Sequence, residues 1–71
     1  GVSLTDSVGT IARSDFRSLT DSVVLLNGGG NTIAWRYNDC AGFTPTVSGG
    51  LTGITAYPLP VDQSADFRIT S

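Results

Sequence analysis

The chain contains no His, Lys, Glu or Met, and only one Cys, Cys40. Without His, and with a single thiol, a zinc site of the usual Cys/His kind cannot be assembled. Cys40 has no internal partner for a disulfide, and no His or Lys is present to lower its pKa, so it reads as a small buried hydrophobe rather than a reactive group. One thiol without a disulfide framework points to synthesis in a reducing cytoplasm. The missing Lys, Glu and Met, with Gln63 the sole Gln, remove most strong helix formers. No run approaches the ~18 apolar residues of a membrane-spanning helix. No positively charged leader precedes an apolar stretch, so no signal peptide is read. An N-terminal Gly in a chain without Met suits removal of an initiator Met, or equally a processed product.

Charge is also sparse. Four Arg face six Asp, for a net charge of −2. Scattered Arg without Lys make no basic patch, which argues against nucleic acid as a partner. Charged residues are 14% of the chain, against about 25% in typical soluble domains. A surface left to Ser, Thr and Gly suits a protein largely enclosed by neighbours. Seventy-one residues make one domain of marginal stability. With disulfides and zinc excluded, oligomerisation or docking onto a larger assembly is the remaining support.

The catalytic inventory is equally thin. A Ser or Thr nucleophile would have only Asp as base and no third residue to orient it. Gly28–Gly30 lacks the Lys-Ser/Thr that follows a phosphate loop. Asp39 and Asp62 lie in loops, but no D-x-D-x-D-G spacing marks a calcium loop. The expectation is no enzyme, no cofactor and no metal.

What is present is strand-and-turn language, which predicts an all-β fold: a small antiparallel β-sandwich or barrel with an extended N-terminal arm. Residues 1–20 form the arm, with short strands at Gly9–Arg13 and Phe16–Thr20. Residues 21–71 form the compact β domain. Val23 to Leu26 is an unbroken apolar run, read as a strand buried on both faces. Asn27-Gly28-Gly29-Gly30-Asn31 is read as a hairpin turn. In residues 31–37, Ile33, Trp35 and Tyr37 alternate with Ala34 and Arg36, as on a half-buried strand. Asn38–Gly50 is a long loop carrying Asp39, Cys40, Phe43 and Pro45. A strand over 51–59 is closed by Pro58 and Pro60, which suit a strand end or sheet edge. After a turn at 60–64, the last strand at 65–71 turns Ala65, Phe67 and Ile69 inward and Asp66, Arg68 and Thr70 outward. Asp66 and Arg68 are placed to pair with Arg36 or with a neighbour. SLTDSV at Ser3–Val8 returns at Ser18–Val23, and DFR at Asp15–Arg17 returns at Asp66–Arg68. Two copies do not make a repeat architecture, and the echoes read as strand-edge wording reused.

The order of these elements resembles a class of small virion proteins of tailed bacteriophages. The resemblance is carried first by Val24, Leu26, Asn27, Gly28 to Gly30, Ile33, Trp35 and Tyr37. Its second half falls on Gly53, Ile54, Leu59, Pro60, Ser64, Phe67 and Ile69. The turn from Pro60 to Ser64 is one residue longer than the class pattern, and Asn38-Asp39 stands where a Gly is usual. The resemblance implies a structural protein of the virion, made in the host cytoplasm, that decorates and cements the shell by docking on a major capsid or other virion protein and that forms homo-oligomers. A tail, neck or fibre-anchor component is the second reading. A host-surface carbohydrate-binding module using Trp35, Tyr37 and the 38–50 loop is the third. Partner contacts are expected from Val2, Leu4, Val8 and Ile11 of the arm and from Val24, Leu26 and Phe43.

Overall fold

The computed structural model describes residues 1–20, 22–49, 54–62, 64 and 66–71, with backbone alone at 54–56. Within them the chain is all-β. Nine short strands follow in order: β1 (Val2–Thr5), β2 (Val8–Ala12), β3 (Asp15–Arg17), β4 (Val24–Asn27), β5 (Thr32–Arg36), β6 (Asp39–Ala41), β7 (Thr46–Gly49), β8 (Ile54–Pro58) and β9 (Phe67–Thr70).

Pairing is set by a long period, not by hairpins. β1 lies parallel to β4 with Val2 opposite Val24, β2 parallel to β5 with Val8 opposite Thr32, and β3 parallel to β6 with Asp15 opposite Asp39. β4 in turn lies parallel to β7, Val24 opposite Val47. From β1 to β4 each strand therefore meets the one three places later, and the chain winds as a short three-sided β-solenoid in which each of the first two coils contributes one strand to each side. The third coil reverses. β8 runs antiparallel to β7 and β9 antiparallel to β5, giving sheet orders β1-β4-β7-β8, β2-β5-β9 and β3-β6.

Inward side chains stack in columns along the axis because parallel in-register pairing puts like positions above one another. Val2, Val24 and Val47 make one column; Leu4 and Leu26 a second; Ile11, Trp35 and Phe67 a third. Val23, Val24, Leu26, Ile33, Trp35, Val47, Leu59 and Ile69 form one buried cluster, with Phe16, Leu19, Cys40 and Phe43 packed against it. Phe16 stacks on Trp35 at 5.7 Å between ring centroids and 19° between planes.

The corners explain how so polar a chain turns three times per coil. Six described residues have positive φ, and they fall in three stacked pairs: Asp6 with Gly28, Arg13 with Tyr37, and Ser18 with Gly42. Each is the residue just after a strand, so the first two coils use one left-handed residue per corner. Two corners are tied by buried Asn. Ser7 N–H donates to Asn31 Oδ1 at 3.0 Å, and Ser14 N–H donates to Asn38 Oδ1 at 3.1 Å. The amides donate in return: Asn31 Nδ2 to Asn27 O at 2.8 Å and to Ser71 Oγ at 2.9 Å, and Asn38 Nδ2 to Ile11 O at 2.9 Å. A buried polar side chain is tolerated when its donors and acceptors are met.

Several expectations change. Most ladders are parallel, so the fold is not an antiparallel sandwich. Residues 1–20 are not an extended arm: β1, β2 and β3 form the first coil, each paired along one flank with the second. The Gly run does not close a hairpin, because β4 and β5 lie in different sheets; Gly28 (φ 76°) turns a corner instead. The supposed loop at 38–50 holds β6 and the whole of β7. Leu25 stands on the outer face between Ser3 and Ser48, so β4 buries one face only. Ile33 and Trp35 point inward as expected, but Tyr37 sits past the strand end at a left-handed corner and is 51% exposed. Pro58 does end a strand at a sheet edge. In β9, Ile69 is buried and Phe67 half-buried while Arg68 and Thr70 are exposed, as the alternation predicts. Residues 51–53 and Ala65, assigned to the last two strands, lie outside the described residues.

Candidate docking surfaces

The two ends of the coil stack differ. At one end lie β1, β2 and β3, each the outermost strand of its sheet. Among the described residues their inward side chains have a coil above and none below, so Val2, Leu4, Ile11, Phe16 and Leu19 stay half-buried, whereas Val24, Leu26 and Trp35, one coil further in, are closed over. This is the open end. At the other end β8 and β9 lie across β7 and β5 and cover two of the three sides, and Leu59 is buried under the cap with its N–H donating to Pro45 O at 2.8 Å. β8 and β9 are themselves sheet-edge strands.

The expected contact residues divide accordingly. Val2, Leu4 and Ile11 belong to the open end. Val8 is 81% exposed on the outer face of β2. Phe43 is half-buried against the core. Val24 and Leu26 are corrected: both are enclosed in the chain's own core because they hold the middle positions of two inward columns, and neither reaches a partner surface.

The sugar platform is also corrected. Trp35 is 2% exposed, stacked beneath Phe16, while Tyr37 lies outside under the Arg13 guanidinium, 5.3 Å from the ring centroid. The two rings cannot present one face. A shallow cleft of about 90 Å³ lies beside Tyr37, lined also by Arg36, Ser64 and Asp66. Arg36 Nε meets Asp66 Oδ1 there at 3.2 Å, the pairing expected across strands. Both groups are exposed, which makes the pair worth about 0–1 kcal/mol. Asp62 accepts from Ser64 Oγ at 2.8 Å and from Ser64 N–H at 2.9 Å. The hydroxyl and then the amide hold its carboxyl below the ordinary range, as in any Asx turn.

Cys40 stands opposite Phe16 on the third side. Burial first, and then the carboxylates of Asp39 and Asp15, push its thiol up from the ordinary value. A raised thiol is the reverse of an activated nucleophile. Burial likewise raises the Tyr57 hydroxyl. Among the described residues no three acidic, Cys or His side chains converge on a point that would hold a metal ion. No described helix is long and apolar enough to cross a membrane.

Sequence reasoning missed Asn31 and Asn38 as structural residues. A signal was available: each stands 24 positions after a Ser that follows a corner, Ser7 and Ser14. Searched against protein-family models, curated proteins and solved structures, the chain matches none.

Proposed function

We propose that this chain is a structural protein of a bacteriophage virion, a small decoration or cement unit that works by associating with neighbouring β-rich subunits. The observation that carries the reading is the distribution of chemistry over the fold. Apolar side chains fill the columns, buried Asn hold the corners, and the one thiol is pushed away from ionisation. Among the described residues, the groups left with capacity to bind are strand edges, at β1, β2 and β3 on one end and at β6, β8 and β9 on the other. Strand edges bind other strands through main-chain hydrogen bonds. Cementing requires two contacts per unit, so that neither can release while the other holds. Two edge-bearing ends answer that requirement better than the single docking end a tail or fibre anchor would need.

The test is particle composition and strength. Virions of the phage that encodes the chain should contain it at shell-wide stoichiometry, measured by quantitative mass spectrometry. Particles made without it should release their genome at lower temperature. Absence from purified particles would end this reading. A few copies per particle would move it to the tail or neck.

A further inference from the structure

We infer that the open end is a homodimer interface, in which two copies meet first coil to first coil across a two-fold axis perpendicular to the coil stack. The inference deepens the structural reading above and rests on it.

Three strands end their sheets there together, and their outward groups can be assigned. The Ser7 carbonyl and the Arg13 amide point toward β5 and its ends, bonding Thr32 N and Arg36 O. Strand alternation gives Gly9 and Ile11 the same direction and leaves the backbone groups of Val8, Thr10 and Ala12 on the open flank. Inside this rim lie Val2, Leu4, Ile11, Phe16 and Leu19, half-buried. The combination of an apolar floor and a rim of edge strands is what each inner coil presents to the next, so the interface continues the chain's own coil-to-coil packing.

Four observations select a second copy as the occupant. The first is shape. The four strands of the β1-β4-β7-β8 sheet, about 4.8 Å apart, span about 14 Å and account for the shortest axis of the molecule, 15 Å, which makes the end face the 28 × 23 Å section. That section outlines roughly 500 Å² before side chains are counted, approaching the ~800 Å² per partner of a stable interface. The second is symmetry. A two-fold axis turns the facing strands antiparallel, a pairing any sheet edge accepts, and closes both apolar floors in one step. The third is charge. β1 and β2 carry no charged residue, and on β3 Asp15 and Arg17 neutralise each other at 2.8 Å, so two copies meet without net like charge. The fourth is the mismatch of the other end, where β8 and β9 cover two sides and leave no matching floor for a head-to-tail stack. The dimer then carries two identical outer ends, each with the β8 and β9 edges, and is bivalent toward a shell.

The experiment is sedimentation equilibrium of the 71-residue chain over a micromolar to millimolar range, for wild type and Thr10→Pro. Pro removes one outward N–H of the rim and no bond to β5. The wild type should sediment at twice the chain mass, and Thr10→Pro should raise the dissociation constant about tenfold or more, since the loss occurs once in each copy. Amide hydrogen exchange on the wild type needs no variant: Val8, Thr10 and Ala12 should become protected as concentration crosses the dissociation constant, with inner amides unchanged. A folded monomer throughout would overturn the dimer and leave the structural reading to be judged on particle composition. A dimer whose Val8, Thr10 and Ala12 amides stay unprotected would overturn the placement of the interface.

Discussion

Replacing Asn31 by Ala tests the claim that buried corner amides hold the coils together. Asn31 is 1% exposed and joins three parts of the chain: the first coil at Ser7 N, its own corner at Asn27 O, and the C-terminal Ser71 Oγ. Ser71 also donates to Gly28 O at 3.1 Å and keeps a partner after the change. The Ser7 amide loses its acceptor, while the Asn27 carbonyl loses one of two donors and keeps the Asp6 N–H at 3.4 Å. Stranding the Ser7 amide away from water costs about 1–3 kcal/mol and losing the bond to Asn27 O about 0.5–1.5 kcal/mol, so Asn31→Ala should lose about 2–4 kcal/mol. At roughly 0.05–0.15 kcal/mol per residue the whole fold has about 4–10 kcal/mol, so the variant should lose half its stability or unfold. Urea unfolding followed by fluorescence of Trp35, the sole Trp, is the assay. Asn27→Ala is the control, because its side chain makes one exposed 3.3 Å bond to Ser3 Oγ and should cost under about 1 kcal/mol. Asn31→Asp sharpens the test. It keeps the acceptor for Ser7 N–H but sets a buried carboxylate against the Asn27 carbonyl. Burial and that carbonyl favour the protonated form, so the folded pKa lies above the unfolded one. The deficit relative to wild type should be large at pH 7 and shrink as pH falls through the folded value. Equal small effects of Asn31→Ala and Asn27→Ala, or an Asn31→Asp deficit that ignores pH, would refute the reasoning.

The other predictions use the same assay. Leu26→Ala should cost about 2–5 kcal/mol and Leu25→Ala under about 0.5, because neighbours in sequence point to opposite sides of β4; equal costs would contradict the assigned facing. Gly42→Ala should destabilise by about 1–2 kcal/mol, since Gly42 has φ 81° and an added Cβ would stand 2.6 Å from Ser18 Oγ. Gly9→Ala, where a Cβ meets nothing, should fall within about 0.5 kcal/mol of wild type. Cys40 and Tyr57 both have folded pKa values above their ordinary 9.0 and 10.0, so the native state holds their protons longer than the unfolded chain does. The contribution of these two groups should be constant below pH about 9 and be lost as pH rises through the folded values, with the first part of that loss absent in Cys40→Ser. Labelling of Cys40 by a thiol reagent at pH 8 should also be slower than that of free cysteine; a faster rate would contradict the raised thiol.

The sequence by itself determined that the chain is all-β. β-branched runs broken by Gly, Asn and Pro left little else possible once Lys, Glu and Met were absent. It placed Ile33, Trp35, Phe67 and Ile69 on inward faces and Pro58 at a sheet edge, because period-two alternation is a local property of a strand. It did not determine which strand pairs with which. Gly28–Gly30 permits a hairpin or a corner equally, since both need only positive φ, and the choice rests on whether the next strand folds back or goes round. That was decided by partners far along the chain, where Val24 finds Val2 and Val47, and Trp35 finds Ile11 and Phe67. No local preference records such a distance, and the echo that sequence does carry, SLTDSV repeated fifteen residues on, does not have the coil period. For the same reason Val24 and Leu26 were legible as apolar but not as interior. Whether an apolar strand face is a core or an interface depends on what the fold lays across it, and here a first coil does so for the second while the first coil's own floor is left open.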